Sequence, residues 1–149
     1  MKLHVGDKAP DFELPSTGGV TFNLKSHLEE GRLVLYFYPR DFTPGCTAEA
    51  CGFRDEFSEL RQSELRVFGV SLDSPESHEE FKKKYGLPFD LLSDADGNVS
   101  RLYGVYNKLF KIANRVTFVV DGDGKILSIT KNMFAPKSHV RAAKSIPTD

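Results

Sequence analysis

A chain of 149 residues, 40% hydrophobic and 28% charged, is long enough for one domain with a full hydrophobic core and too apolar to be disordered. Twenty basic side chains against 21 acidic ones leave a net charge of −1, which excludes the basic surface of a nucleic-acid-binding protein and any bias toward acidic partners. No stretch approaches the ~18 apolar residues of a membrane span.

In chain order, Phe12-Glu13-Leu14 and Val20-Thr21-Phe22-Asn23-Leu24 alternate apolar and polar residues around Gly18-Gly19. That pattern predicts a β-hairpin with a glycine turn. Leu33-Val34-Leu35-Tyr36-Phe37-Tyr38 is an unbroken apolar run, the mark of a strand buried on both faces, and Pro39 ends it. From Thr43 the period becomes helical, with Ala50, Phe53, Phe57 and Leu60 three or four apart among charged residues. A second buried strand is expected at Val67 to Leu72, completing a βαβ unit with a right-handed crossover. Ser74 and Pro75 then open a helix as N-cap and first residue, with Phe81 and Tyr85 on its apolar side and Gly86 and Pro88 at its end.

A short helix is expected from Val99 to Tyr103. Two strands, Val116 to Val120 and Ile126 to Thr130, flank the turn Asp121-Gly122-Asp123-Gly124 and form a second hairpin. A modest helix after Pro136, carrying Val140 and Ala143, closes the chain. There is no internal repeat, linker or low-complexity tract. A parallel βαβ half followed by a ββα half predicts a single domain over residues 1–149 with a thioredoxin-like α/β fold. Its central mixed β-sheet is flanked by helices and preceded by an N-terminal β-hairpin. Fold alone does not assign an activity.

The chemistry concentrates in residues 37–57, FYPRDFTPGCTAEACGFRDEF, which hold both cysteines of the chain, Cys46 and Cys51. The opening Met1-Lys2-Leu3-His4-Val5-Gly6-Asp7 lacks the apolar run of a secretion signal, so the expected location is cytoplasmic. There thiols stay reduced, and a close pair points to catalysis or metal binding rather than a permanent staple. Thr43 suits the N-cap of the helix and Pro44 its first position. Cys46 is then the third helical residue, where free backbone N–H groups and the positive helix end favour an anion. A thiol there is set up as a thiolate nucleophile. Gly45 removes side-chain bulk beside it. Residues five apart in an intact helix have Cα atoms roughly 8.5 Å apart, beyond the ~7 Å that a disulfide spans. A bond between Cys46 and Cys51 therefore needs the first helical turns to unwind, which suits a bond made and broken in a cycle.

Other readings fit less well. Two unrelated buried cysteines would not need the Thr-Pro-Gly start. A zinc site would need further ligands to complete the cysteine pair, whereas His4, His27, His78 and His139 are scattered and read as surface or packing residues. The dithiol motif with two intervening residues is absent, which disfavours a disulfide reductase. Asp94-Ala95-Asp96-Gly97-Asn98 has its glycine at the fourth position of a calcium loop instead of the sixth, and Val105 where a glutamate belongs, so it reads as a turn. A thiolate also calls for a cation, and Arg40, Arg54 and Arg115 are all candidates that spacing does not separate.

Pro39, Thr43 and Cys46 fit the proline, three residues, threonine, two residues, cysteine pattern of the peroxiredoxins. The stretch YPRDFTPGCTAEACGFRDEF resembles the subfamily called bacterioferritin comigratory protein, or peroxiredoxin Q, whose second cysteine lies five residues after the first. NRVTFVVDGDGKI resembles its arginine-bearing strand and hairpin, and HVGDKAPDFEL its N-terminal segment. The resemblance covers most of the chain and thins after Gly104.

It implies a thiol peroxidase of the atypical two-cysteine kind. Cys46 attacks the hydroperoxide and becomes a sulfenic acid, and Cys51 resolves it as an intramolecular disulfide. Thr43 and Arg115 hold thiolate and peroxide, Pro39 shields the sulfur, the N–H groups of Gly45 and Cys46 complete the cradle, and Glu49 orients the arginine. The implied partners are a hydroperoxide substrate and a thioredoxin-like dithiol reductant, with no cofactor, metal, nucleic acid or membrane. The chain is expected to act as a monomer, with a weak dimer left open. Two rival readings share the same thiolate: a redox sensor or chaperone whose first helix changes on oxidation, and a reductase of protein disulfides.

Overall fold

The computed structural model describes residues 2–131 and 136–146. Of the segments read above, Met1, residues 132–135 and residues 147–149 lie outside the described residues. Strands β1 (Glu13–Pro15) and β2 (Thr21–Asn23) pair antiparallel, with Leu14 opposite Phe22. The turn between them is a 3₁₀ segment in which Gly18 and Gly19 take φ of 84° and 72°, a region open to glycine and strained for other residues. The predicted hairpin is present, with a five-residue connection.

The chain continues through α1 (Leu24–Leu28), β3 (Leu33–Phe37), α2 (Pro44–Asp55), α3 (Phe57–Gln62), β4 (Arg66–Ser71), α4 (Pro75–Tyr85) and β5 (Asp90–Ser93). It then runs through α5 (Asn98–Leu102), β6 (Tyr106–Asn107), β7 (Ile112–Ala113), β8 (Val116–Val120), β9 (Ile126–Lys131) and α6 (Pro136–Lys144).

Five of these strands form a mixed sheet in the order β5-β4-β3-β8-β9. Strands β3, β4 and β5 are parallel, while β8 pairs antiparallel with β3 and with β9. The central strand β3 sends Leu33, Leu35 and Phe37 to one core, with Phe12, Phe22, Tyr103 and Phe118. Its alternate residues Val34 and Tyr36, followed by Tyr38, go to the other, with Phe53, Phe81, Leu91 and Val140. This period of two is what a strand covered on both faces requires. Each such side chain contributes about 1.5–3 kcal/mol by leaving water.

The sheet register also builds the site. Phe37, last in β3, pairs with Val116, first in β8, so the loop after β3 and the residue before β8 meet at one end of the sheet. Cys46 belongs to the second core, at the start of the helix that the β3–β4 crossover lays on that face.

The structure departs from the sequence expectations in a few places. The helix expected to run from Thr43 through Leu60 is two helices, broken at Glu56 with φ −100° and ψ 8°. Strand β5, the short helix α1 and the small β6–β7 hairpin had no prediction. Each is too short to show a period: β5 has only Leu91 and Leu92 as apolar residues.

Candidate active site

The loop between β3 and α2 is strapped down before it reaches the thiol. The buried Asp41 carboxylate accepts from the Tyr38 hydroxyl at 2.6 Å and the Ser77 hydroxyl at 2.8 Å, and lies 2.7 Å from His78 Nδ1. Its backbone N–H donates to Asp73 Oδ2 at 2.8 Å. Phe42 then takes φ of 67°, an uncommon conformation for a bulky residue. The chain enters α2 at Thr43, an N-cap with φ −73° and ψ 151°. The Thr43 hydroxyl oxygen accepts from Cys46 N at 3.4 Å and donates to the Arg40 carbonyl at 3.2 Å. Pro44 is the first helical residue, and Cys46 the third, with only 1% of its surface exposed. The Thr43 oxygen thus caps one N–H group of the first turn, and the sulfur sits at the positive end of the helix.

A cation meets it there. Arg115, the residue before β8, donates from Nη2 to Cys46 Sγ at 3.3 Å and from Nη1 to Glu49 Oε1 at 2.6 Å. Glu49 lies three residues after Cys46 on the same face of α2, so one guanidinium fork bridges both acids. Gly45 makes room for it: a Cβ there would lie 3.0 Å from Arg115 Nη2. Burial pushes the Glu49 carboxyl from 4.5 up to about 8, with Arg115 pulling the other way. Burial acts to lower Arg115, but Glu49 and Cys46 outweigh it and hold the guanidinium above its ordinary value. A buried thiol beside a helix start and a fixed guanidinium is equipped for nucleophilic attack and for stabilising negative charge on a neighbouring oxygen.

A model of the AhpC/TSA family matches residues 5–129. The chain belongs to this family. It is similar to the putative peroxiredoxin bcp of Coxiella burnetii, at 46% identity over 135 residues, covering 87% of this chain and 89% of that protein. Its identity to the chloroplastic peroxiredoxin Q of Oryza sativa subsp. japonica is 43% over 93% of this chain, which spans 64% of that longer protein. Among solved structures, peroxidoxin BcpB from Mycobacterium tuberculosis superposes with a TM-score of 0.89 at 38% identity over 95% of this chain and 94% of that one. The bacterioferritin comigratory protein of Xanthomonas campestris, described for its alkyl peroxide reduction activity, superposes with a TM-score of 0.79 at 31% identity over 89% of each chain. The fold is thioredoxin-like, as the element order predicted.

In this peroxiredoxin, Thr43, Gly45, Cys46, Glu49 and Arg115 lie together at the start of α2. Pro39 is half-buried just after β3. Of the three arginine candidates, Arg40 is exposed, and Arg54 reaches Asp55 Oδ1 at 3.0 Å and the Tyr85 carbonyl at 2.7 Å. Cys51 is a free, half-buried thiol at a cleft of about 370 Å³ between α2 and α6, lined by Ala48, Gly52, Asp55, Val140 and Lys144. Helix α2 is unbroken from Pro44 to Asp55, so the two sulfurs stand on a regular helix.

The histidines correct the sequence reading. His78 and His139 are fully buried and belong to polar networks rather than to the surface or to simple packing. His78 fastens the loop through Asp41, and His139 lies 3.6 Å from Glu49 Oε2. No spacing signal links positions 78 or 139 to the cysteine loop; only the β3–α4 and α2–α6 packing does. Asp41, Asp73 and His78 bring ligand-type atoms within 4.8 Å of one another. Their lone pairs are engaged by Tyr38, Ser71, Ser77 and the Asp41 N–H, which is the pattern of a strap rather than of an open coordination site. Asp94 is a turn residue, as expected, and accepts from Val99 N, Ser100 N and the Ser100 hydroxyl at 3.1, 2.7 and 2.7 Å.

Proposed function

We propose that the chain is a thiol-dependent peroxidase that reduces hydrogen peroxide and organic hydroperoxides, with Cys46 as nucleophile and Cys51 as resolving thiol. The observation that carries this reading is the Arg115 fork, 3.3 Å from the buried Cys46 sulfur, at a helix start cleared by Gly45. The Cys46 thiolate attacks the terminal peroxide oxygen; an S–O bond forms as the O–O bond breaks, and the leaving oxygen takes up the proton released by the thiol. The products are a sulfenic acid and water or an alcohol. Arg115 faces the sulfur and, with the free N–H groups of the first turn of α2, would meet the negative charge that builds up on the departing oxygen. On this reading Thr43, which caps the turn that holds Cys46, and Pro39 just after β3 complete the site.

The Cys51 thiol then attacks the sulfenic sulfur, expelling water and forming the Cys46–Cys51 disulfide. Two electrons and two protons from a thioredoxin-like dithiol restore both thiols. We place this cycle in the cytoplasm, in a chain acting as a monomer. No helix among the described residues is long and apolar enough to cross a membrane.

Stopped-flow mixing of the reduced protein with hydrogen peroxide, followed by peptide mass spectrometry, tests the proposal. Fast, repeated peroxide consumption with a dithiol supply and an intrachain Cys46–Cys51 link are expected, and Cys46→Ser should abolish both. Slow oxidation that occurs once, without turnover, would overturn the peroxidase reading in favour of a sensor. Reduction of protein disulfides without peroxide would overturn it in favour of a reductase.

A further inference from the structure

His139 takes no part in the cycle above, yet it is buried against its centre. The Glu49 carboxyl is held at one oxygen only: Oε1 accepts from Arg115, while Oε2 is buried with no hydrogen-bond partner among the described residues. That second oxygen faces His139 Nδ1 at 3.6 Å, outside hydrogen-bond reach but close enough for a strong electrostatic contact where water is excluded. The same Nδ1 lies 2.7 Å from the Thr117 hydroxyl on β8. A line of polar groups therefore runs from Thr117 through His139, Glu49 and Arg115 to the Cys46 sulfur.

We infer that His139 is a positioning residue for the peroxide-reducing step, acting through Glu49 on the Arg115 fork that holds the Cys46 sulfur. The inference rests on the peroxidase reading. Its geometry comes from α6, which docks on the helix that carries Cys46 and Glu49. A Cβ at Gly52 would lie 3.0 Å from Val140 Cγ2, and Lys144 Nζ reaches Glu56 and Glu59, each at 3.1 Å. His139, one residue before Val140, is thus presented to Glu49 by a helix fixed at two further points.

The charged and titratable groups facing Glu49 are Cys46 from its own helix, Arg115 ahead of β8, Tyr36 from β3 and His139 from α6. With one anion-binding fork shared by two acids, the direction in which the carboxyl points decides how squarely Arg115 meets the sulfur. Burial already drives the carboxyl toward its neutral form, against Arg115. A polar neighbour on the far oxygen holds it in place in either form. A group displaced by about 1 Å near reacting atoms can cost as much as a hundredfold in rate.

The test is a double-mutant cycle on the rate of Cys46 oxidation by hydrogen peroxide, with the ultraviolet absorbance of the thiolate as a second readout. His139→Leu keeps the volume and should slow the reaction about tenfold or more while lowering the thiolate absorbance at neutral pH. His139→Gln, which keeps a polar group facing Glu49, should recover most of both. In a Glu49→Met background, which keeps the length of the side chain but removes both of its oxygens, His139→Leu should change the rate by less than about twofold, because the route through the carboxyl is gone.

Thr117→Val, which leaves α6 untouched, should shift both readouts the same way, and it carries the test if His139→Leu does not fold. Equal losses with and without the Glu49→Met substitution would overturn the inference, as would a lowered melting temperature with unchanged rate and absorbance. If the unsubstituted protein does not react with peroxide, the peroxidase reading fails instead.

Discussion

Glu49→Gln isolates the most perturbed acid in the site. Glutamine keeps a carbonyl for Arg115 Nη1 and removes the charge, so the comparison reports what a carboxylate costs in this cavity. Burial raises the Glu49 carboxyl from 4.5 to about 8, against the pull of Arg115. Between those two values the folded protein holds a proton that the unfolded chain has released. Linkage then gives a stability that falls as pH rises across the window. The contribution of Glu49 is fully present below pH 4.5 and lost as pH rises through about 8.

At about 1.4 kcal/mol per pH unit, the whole interval corresponds to at most about 5 kcal/mol. The assay is urea unfolding at a series of pH values, comparing proteins with and without Glu49→Gln in a Cys46→Ser background. That background blocks oxidation and removes the second acid on Arg115. Groups that titrate alike in both proteins cancel in the difference. The glutamine variant should gain on the parent steadily as pH rises through the window and then level off, with unchanged denaturant slopes. A constant offset would refute the reasoning. A parent that gains stability with pH would show that the Arg115 pairing outweighs burial and that the carboxyl is depressed.

Cys51→Ser should keep one fast turnover with peroxide and then pass readily to the sulfinic acid, read by mass spectrometry; normal resistance to over-oxidation would argue against its resolving role. Gly45→Ala puts a methyl group 3.0 Å from Arg115 Nη2, so the fork must give way by a few tenths of an ångström beside the sulfur. The peroxide rate should fall about tenfold or more with little change in melting temperature, and an unchanged rate would mean that the arginine is not set by this contact. Gly69→Ala in β4 would press a Cβ to 2.7 Å from Tyr36 Cζ and 2.9 Å from Leu91 Cδ2. Overpacking of this kind should destabilise by about 1–3 kcal/mol, measured by urea unfolding.

The parts of the site that share one local segment were legible in the sequence. Thr43, Pro44, Gly45, Cys46 and Glu49 lie within seven residues, and capping chemistry places them without knowledge of the sheet. Arg115 was not separable from Arg40 and Arg54 by spacing, because its nearness depends on the antiparallel pairing of Phe37 with Val116. The same holds for His139 and for the Asp41–His78 strap. A lone histidine on a helix carries no periodic signal, and its neighbours are decided by which helix lies on which face. The buried strands β3, β4 and β8 announced themselves by composition, whereas β5 had too few apolar residues to do so. The break at Glu56 was hidden because Phe57 and Leu60 keep the helical period across it.

Glu49 stands between the two cysteines, and this ties the disulfide to the anion site. An intact α2 keeps the Cys46 and Cys51 Cα atoms roughly 8.5 Å apart, so joining them means unwinding the segment that holds Glu49. The unwinding is bounded on both sides. Upstream, the loop is fastened at Asp41 by Tyr38, Ser77, His78 and Asp73. Downstream, Phe53 is fully buried and Arg54 is tied to the Tyr85 carbonyl at 2.7 Å. Between these anchors lie the turns from Thr43 to Cys51, the segment that a Cys46–Cys51 bond would have to unwind.

In the proposed cycle, unwinding them would take Glu49 from Arg115 and His139 in the same step that takes the sulfur away from the fork. On that reading an oxidised chain would lack not only the thiolate but also the arrangement that held it. Reduction would then let α2 rewind from the Thr43 cap, returning the sulfur, the carboxyl and the guanidinium to one another together.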